Sequence, residues 1–291
     1  MSTISEADVR AEVRTWLTAN WDAEMSLVAW RNKLVDSGWG MPQWPEAWHG
    51  RGLPVGLVRA VEEEFADVGA VGVARSGVRL LVAATLLEHG TDQLKEKHLR
   101  RILTGEATWC QLFSEPGSGS DLAGATTRAD LHGDYWLING EKVWSTSAHH
   151  ADHGLLVART DWDVPKHDGL SCFVIDLKRP GVEVQPLKQM NGHASFNQVF
   201  FTDAQVPAEN LVGRVGDGWK VSLTTLMNER VSIGSGGAPK RGSGTISALV
   251  NVWNRLPEEE RLALRERRAG ALVRSCAPLI AAADRRDRPE I

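Results

Sequence analysis

Apolar residues recur at helical spacing through the first third of the chain and at strand-like density through the middle third. Near the start, Ser5 precedes Asp8, Val9, Val13, Trp16 and Leu17, a capping residue followed by an apolar stripe, which predicts a helix. A second helix is predicted over 25–35, ending before Gly38, followed by an irregular Gly/Pro/Trp segment over 38–54. Residues 57–68 and 78–87 read as buried helices, and 91–102 as a more exposed one. Strand-like runs then appear at 136–138, 141–145, 154–158, 171–176, 182–184 and 198–201, with turn residues between them. Asn139-Gly140 is the preferred pair for a tight two-residue hairpin turn, so it predicts a reversal at that point. From Gly218 the pattern is helical again. Pro257 followed by Glu258, Glu259 and Glu260 reads as a helix start with its carboxylates near the amino terminus. The order helical, β, helical divides the chain into 1–109, 110–212 and 213–291, and no internal repeat is evident.

Composition narrows the class. A chain of 291 residues with 42% apolar and 24% charged residues can bury a large core and is ordinary for a soluble globular protein. The formal charge of −4 argues against nucleic acid as the main partner, since phosphate binding needs a basic surface. No apolar run approaches membrane-spanning length, and the polar start is no signal peptide. Cys110, Cys172 and Cys276 are scattered without a CxxC pair, which predicts reduced thiols and a cytoplasmic location.

Two stretches carry candidate chemistry. The first runs from Gln111 through Phe113, Ser114, Glu115, Pro116, Gly117, Ser118, Gly119, Ser120 and Asp121 to Gly124. A glycine- and serine-rich loop straight after an apolar run can expose backbone N–H groups to an anionic or polar ligand. It is not a dinucleotide fingerprint: position 122 is leucine, so G-x-G-x-x-G fails and a Rossmann domain is not expected. The second stretch is Glu141, Lys142, Val143, Trp144, Ser145 and Thr146, where a two-residue period puts Trp144 and Thr146 on one face. A flat apolar ring beside a hydroxyl suits a flat heteroaromatic cofactor with an edge nitrogen, which suggests a flavin. Either stretch also has a plainer reading, a Ser/Gly turn for the one and a core-facing strand for the other. His149, His150 and His153 have spacings that could converge on a metal, but no cysteine or carboxylate pattern attends them apart from Asp152. They read as a solvated loop, and the charged run Arg285, Arg286, Asp287, Arg288 as a solvated helix end.

Ser-Glu-Pro-Gly-x-Gly-Ser-Asp over 114–121 followed by Trp144-x-Thr146 closely resembles the acyl-CoA dehydrogenase family. Pro42-Gln43-Trp44-Pro45, Gly50-Arg51-Gly52-Leu53, His89-Gly90-Thr91, Leu103-Thr104-Gly105-Glu106 and Val206-Pro207-Ala208-Glu209-Asn210-Leu211 extend the resemblance along the chain as far as Gly237. It implies an α+β multidomain fold: an N-terminal helical domain, a central antiparallel β-barrel-like domain and a C-terminal helical bundle. It also implies FAD as cofactor, with Gln111, Phe113, Ser114, Gly119, Ser120, Trp144, Ser145 and Thr146 contacting it and Ser120 also touching the acyl-CoA. The implied reaction removes an α-proton and a β-hydride from an acyl thioester, leaving a trans-2-enoyl thioester. In one branch of the family the base belongs to a Glu-Arg pair on the first helix after the β-domain. Glu229-Arg230 is similar to that pair, with Glu229 as base and Arg230 orienting the substrate. On a helix Glu229 shares a face with Thr225, Leu226, Ser232 and Ile233, and the resulting partial desolvation favours basicity. An acyl pocket is expected near Phe113 and the helix carrying Leu226.

The last segment departs from the family. The usual Arg-x-x-Phe-Gly motif is replaced by Asn251-Val252-Trp253-Asn254-Arg255-Leu256-Pro257, and the chain stops at Ile291, before the bundle's last helices. The resemblance further implies an electron-transferring flavoprotein as acceptor and a homo- or hetero-oligomer, dimer or tetramer. Oxygen as acceptor, and nitroalkane oxidation or hydroxylation on the same scaffold, remain as other chemistries. The rival from another class is a non-catalytic or half-site subunit of a heteromeric enzyme.

Overall fold

The computed structural model describes residues 4–72, 77–235 and 257–260. Contacts divide the chain into two units, 1–234 and 235–291. In the second, Glu258, Glu259 and Glu260 are helical directly after Pro257, where the sequence places a helix start.

The first unit opens with five helices: α1 (Glu6–Asn20), α2 (Leu27–Asp36), α3 (Val58–Asp67), α4 (Val78–His89) and α5 (Asp92–Thr104). Local chemistry sets their ends. Ser5 caps α1 through a reciprocal box with Asp8, Ser26 caps α2, and Thr91 caps α5, which Gly105 terminates at φ +81°. Val9, Val13 and Leu17 of α1 pack with Trp30, Val61 and Phe65 in one core cluster. Across that cluster Arg10 and Arg14 of α1 bind the buried Glu64 of α3, Arg10 at 3.0 Å.

Eight strands follow: β1 (Trp109–Leu112), β2 (Arg128–His132), β3 (Tyr135–Thr146), β4 (His153–Arg159), β5 (Leu170–Asp176), β6 (Val182–Leu187), β7 (Phe196–Pro207) and β8 (Leu211–Val212). The sheet order is β6-β7-β3-β2-β4-β5-β8, with β1 added beside β4. Two pairings correct the antiparallel expectation: β1 runs parallel to β4, and β2 meets β4 in parallel at Arg128/Arg159. Enough chain lies between these strands for the crossovers that parallel pairing needs.

The predicted turn at Asn139-Gly140 is also corrected. β3 runs straight through the pair, and its register against β7 shifts there. Gly140 takes φ +144°, so the glycine serves a bulge rather than a reversal. The helix α6 (Gly218–Ser235) closes the unit. Its Val221 enters the core cluster formed by α4, α5, β1, β4 and β5. Cys110 and Cys172 are buried free thiols, and Cys276 lies outside the described residues.

Candidate active site

A cavity of about 430 Å³ opens where β1, β3, α4 and α6 converge. Its walls are Gly77, Val78 and Leu81 at the start of α4, Gln111, Phe113 and Ser114 at and after the end of β1, Val143, Trp144 and Thr146 at the end of β3, and Glu229 on α6. That volume lies in the range of small-molecule sites. Six candidates from three separate segments of the sequence thus meet: Gln111, Phe113, Ser114, Trp144, Thr146 and Glu229.

The end of β3 is built to present Trp144. A second register shift against β7 lies between Lys142 and Ser145, and Trp144 takes φ +61°. For an aromatic residue this left-handed conformation is strained by about 1–2 kcal/mol. The shift changes the phase of the strand, so that Lys142 and Val143 are both buried while Trp144 is 62% exposed and Thr146 is exposed beyond it. Among the described residues, Phe196 alone meets the indole in a ring contact, edge-on at 6.0 Å. An indole left open in a cavity beside a hydroxyl is an arrangement that a core-packing strand does not need.

On the opposite side, α6 is pinned to α4. Thr225 and Thr85 share a hydroxyl hydrogen bond of 2.9 Å, and His89 Nε2 meets Thr224 Oγ1 at 2.8 Å. These bonds fix the rotation of α6 and bring Glu229, one turn beyond Thr225, to the cavity. Of the residues sharing its face, Thr225 is buried and Leu226 half-buried; the side chains of Ser232 and Ile233 are outside the described set.

Four candidates lie off the cavity wall. Gly119 and Ser120 sit on an exposed turn, Arg230 is exposed, and Ser145 points into the sheet. The Ser145 carbonyl accepts from Asn197 Nδ2 at 2.8 Å, while its buried hydroxyl has no partner. The histidines need a partial correction. His149 bonds Asn197 and His150 is exposed, but His153 begins β4 and packs against His98 and Trp109 with ring centroids 5.1 and 5.0 Å away. Among the described residues no group of three or more His, Cys, Asp or Glu side chains could hold a metal.

A pair that the sequence reading passed over holds the glycine loop. Glu115 accepts from Thr126 N–H at 2.7 Å, Thr126 Oγ1 at 2.8 Å, Thr127 N–H at 2.9 Å and Lys142 Nζ at 2.7 Å. Lys142 also donates to the Phe113 carbonyl at 2.9 Å. Both side chains are buried. The available signal was a glutamate leading the Pro-Gly turn together with a lysine inside an apolar strand; a charge buried there needs a partner.

Comparison with known proteins agrees with this architecture. The profile of the acyl-CoA dehydrogenase N-terminal domain matches residues 4–106, and that of the acyl-CoA dehydrogenase middle domain matches 110–204. The chain belongs to the acyl-CoA dehydrogenase family. Members are FAD-dependent oxidoreductases that act on CH–CH groups. Acyl-CoA dehydrogenase FadE34 of Mycobacterium tuberculosis is 44% identical over 70% of this chain and 29% of its own length. Acyl-CoA dehydrogenase IpdE1 of the same organism is 36% identical over 89% of this chain and 72% of its own. Among solved structures, the ChsE4-ChsE5 complex from Mycobacterium tuberculosis superposes with a TM-score of 0.57 at 28% identity, covering 79% of this chain and 61% of that one. The chain thus spans under a third of one such relative and nearly three quarters of another. Among the described residues no helix is long and apolar enough to cross a membrane.

Proposed function

We propose that this chain is an FAD-dependent dehydrogenase that converts an acyl-CoA thioester to its trans-2-enoyl thioester. The observation that carries the reading is the single cavity holding Trp144, Thr146 and Glu229. The residues present suit a flavin: an open indole for the ring face, the Thr146 and Ser114 hydroxyls for its polar edge, and the side chain of Phe113 along the wall. When bound, FAD supplies the acceptor for the β-hydride, chemistry that no side chain of this site has.

In this reading Glu229 takes the α-proton onto its carboxylate, and the electron pair of the broken C–H bond becomes the new C=C π bond. A positioned base contributes on the order of 10²–10⁴ in rate. Trp144 and Thr146 orient the ring, and Phe113 with Leu226 borders the acyl chain. Arg230 and Ser120, both exposed, serve the outer part of the substrate. An electron-transferring flavoprotein takes the electrons onward, and the protein works as a homo- or hetero-oligomer, in keeping with its similarity to the two-component ChsE4-ChsE5 complex. The non-catalytic alternative gains nothing from the geometry, since Glu229 lines the cavity.

The test is an anaerobic titration of the purified protein with acyl-CoAs of varied length and branching, following flavin absorbance. Bleaching by one class supports the reading and names the substrate. A protein that takes up FAD yet is reduced by none of them refutes dehydrogenation.

A further inference from the structure

The two long walls of the cavity come from segments that share no ladder. Phe113 and Ser114 follow β1, which pairs with β4; Val143, Trp144 and Thr146 end β3, which pairs with β2 and β7. One backbone bond joins them, from the Val143 N–H to the Ser114 carbonyl at 2.8 Å. The other link is Lys142, whose fully buried ammonium donates to the Phe113 carbonyl and to Glu115.

Both partners are ionised near neutrality. Burial works to raise the Glu115 carboxyl, but the Lys142 charge and the Thr126 and Thr127 amides bring it down to about 2. Burial lowers Lys142 to about 8 against the attraction of Glu115. Such a pair is a poor source of stability, because desolvation offsets the attraction and apolar replacements are often neutral or better. A lysine buried here therefore asks for a second account. An apolar side chain could fill its volume, but could not hold the Phe113 carbonyl.

We infer that Lys142 is a positioning residue: by holding the Phe113 carbonyl and Glu115 together, it sets the spacing between the wall of Phe113 and Ser114 and the wall of Val143, Trp144 and Thr146. The consequence for cofactor binding rests on the flavin reading; the geometric claim does not. The pair acts as a spacer, and Glu115 passes its hold on to the turn at Thr126 and Thr127.

The experiment compares the parent protein with Lys142→Met, the double variant Glu115→Gln/Lys142→Met, and Val13→Ala in the distant α1–α3 core. Three quantities are read: the urea midpoint, amide exchange at Val143 and Glu115, and the FAD dissociation constant of the apoprotein. Lys142→Met alone lowers the midpoint, since it strands a buried carboxylate. The double variant regains the midpoint, yet its Val143 and Glu115 amides exchange about tenfold faster, the effect of roughly one lost hydrogen bond. Its FAD dissociation constant rises about tenfold. Val13→Ala lowers the midpoint without moving either local readout. Parent-like exchange at both amides in the double variant overturns the inference. If that variant does not fold, the same exchange measured in Lys142→Met, which likewise lacks a donor to the Phe113 carbonyl, decides it. A parent that binds no FAD defeats the flavin reading, and the exchange data still decide the positioning role.

Discussion

Replacing Gly140 by alanine tests the account of β3 most directly. Gly140 has φ +144°, a conformation that side-chain-bearing residues rarely adopt. A Cβ built there would lie 2.7 Å from Thr127 Cα, 2.8 Å from Thr127 Oγ1 and 3.0 Å from Thr127 Cβ. The nearest atom is backbone and cannot rotate away. Backbone strain of this kind costs about 1–3 kcal/mol, and overpacking a tight contact costs about 1–3 kcal/mol more. Stiffening the unfolded chain returns under about 1 kcal/mol. Gly140→Ala should therefore destabilise by about 2–5 kcal/mol, a large share of the 5–15 kcal/mol typical of a folded protein. Urea unfolding followed by tryptophan fluorescence reads this as a midpoint lowered by about 1 M or more. Adding Thr127→Gly removes two of the three offending atoms and should recover part of the loss. The alternative is the hairpin that the sequence suggests, in which Gly140 would face solvent and Thr127 would not matter. A Gly140→Ala midpoint equal to the parent's, or no gain from Thr127→Gly, would refute the bulge and its contact.

Three further outcomes are expected. Glu229→Gln should lower the rate of flavin reduction by about 10²–10⁴ with little change in substrate affinity; in anaerobic stopped-flow, an undiminished rate places the base elsewhere. Trp144→Gly should relieve the left-handed strain of about 1–2 kcal/mol, offsetting the lost Phe196 contact of about 0.5–1.5 kcal/mol. Its urea midpoint then stays at or above the parent's while FAD affinity falls about tenfold, and a midpoint well below the parent's would mean that the indole serves packing instead. His98 is 1% exposed, both its ring nitrogens lack partners, and burial, with His153 nearby, lowers it to about 3. Its neutral form is what folds, so the associated stability is full above about pH 6.5 and is lost as pH falls toward 3. At pH 5 the loss amounts to about 2 kcal/mol, and His98→Leu should remove it. Unfolding curves at pH 7 and pH 5 with the same pH difference in both proteins would contradict this.

What the sequence disclosed follows from how local each cause is. The α1 cap was legible because Ser5 and Asp8 lie within one turn and satisfy each other. The start of α5 at Thr91 was legible in the same way, whereas the helix runs to Thr104, two residues past the expected 102, before Gly105 ends it. The cavity residues were found partly from residue type, the indole and hydroxyl of Trp144 and Thr146, and partly from the family resemblance, as with Glu229. The β3 strand was misread because its causes are remote. Asn-Gly supplies a positive φ equally well for a turn or a bulge, and the choice is made by Thr127, which leaves room only for a glycine. Strict alternation, which puts Trp144 and Thr146 on one face, would carry Lys142 onto that face as well. The register shift against β7 breaks that phase, turning Lys142 inward while Trp144 and Thr146 stay at the cavity. Parallel pairing of β1 with β4 was equally out of reach, since nothing within residues 109–112 names residues 153–156 as partners.

Most of these misreadings share a location. The bulge at Gly140, the shift between Lys142 and Ser145, the left-handed Trp144 and the buried Glu115–Lys142 pair all fall within one strand and the loop it holds. Elsewhere in the first unit, capping and apolar pattern agree with the helices, and the remaining corrections are the parallel pairings at β4 and the packed ring of His153. A chain that breaks its local rules in one place, at a cost of several kcal/mol in strain and desolvation, does so where an interaction other than folding has set the sequence. Here the broken rules converge on the presentation of one indole and one hydroxyl to a cavity that Glu229 also faces. A strand selected for core packing alone would hold its register, bury Trp144 and carry an apolar residue in place of Lys142.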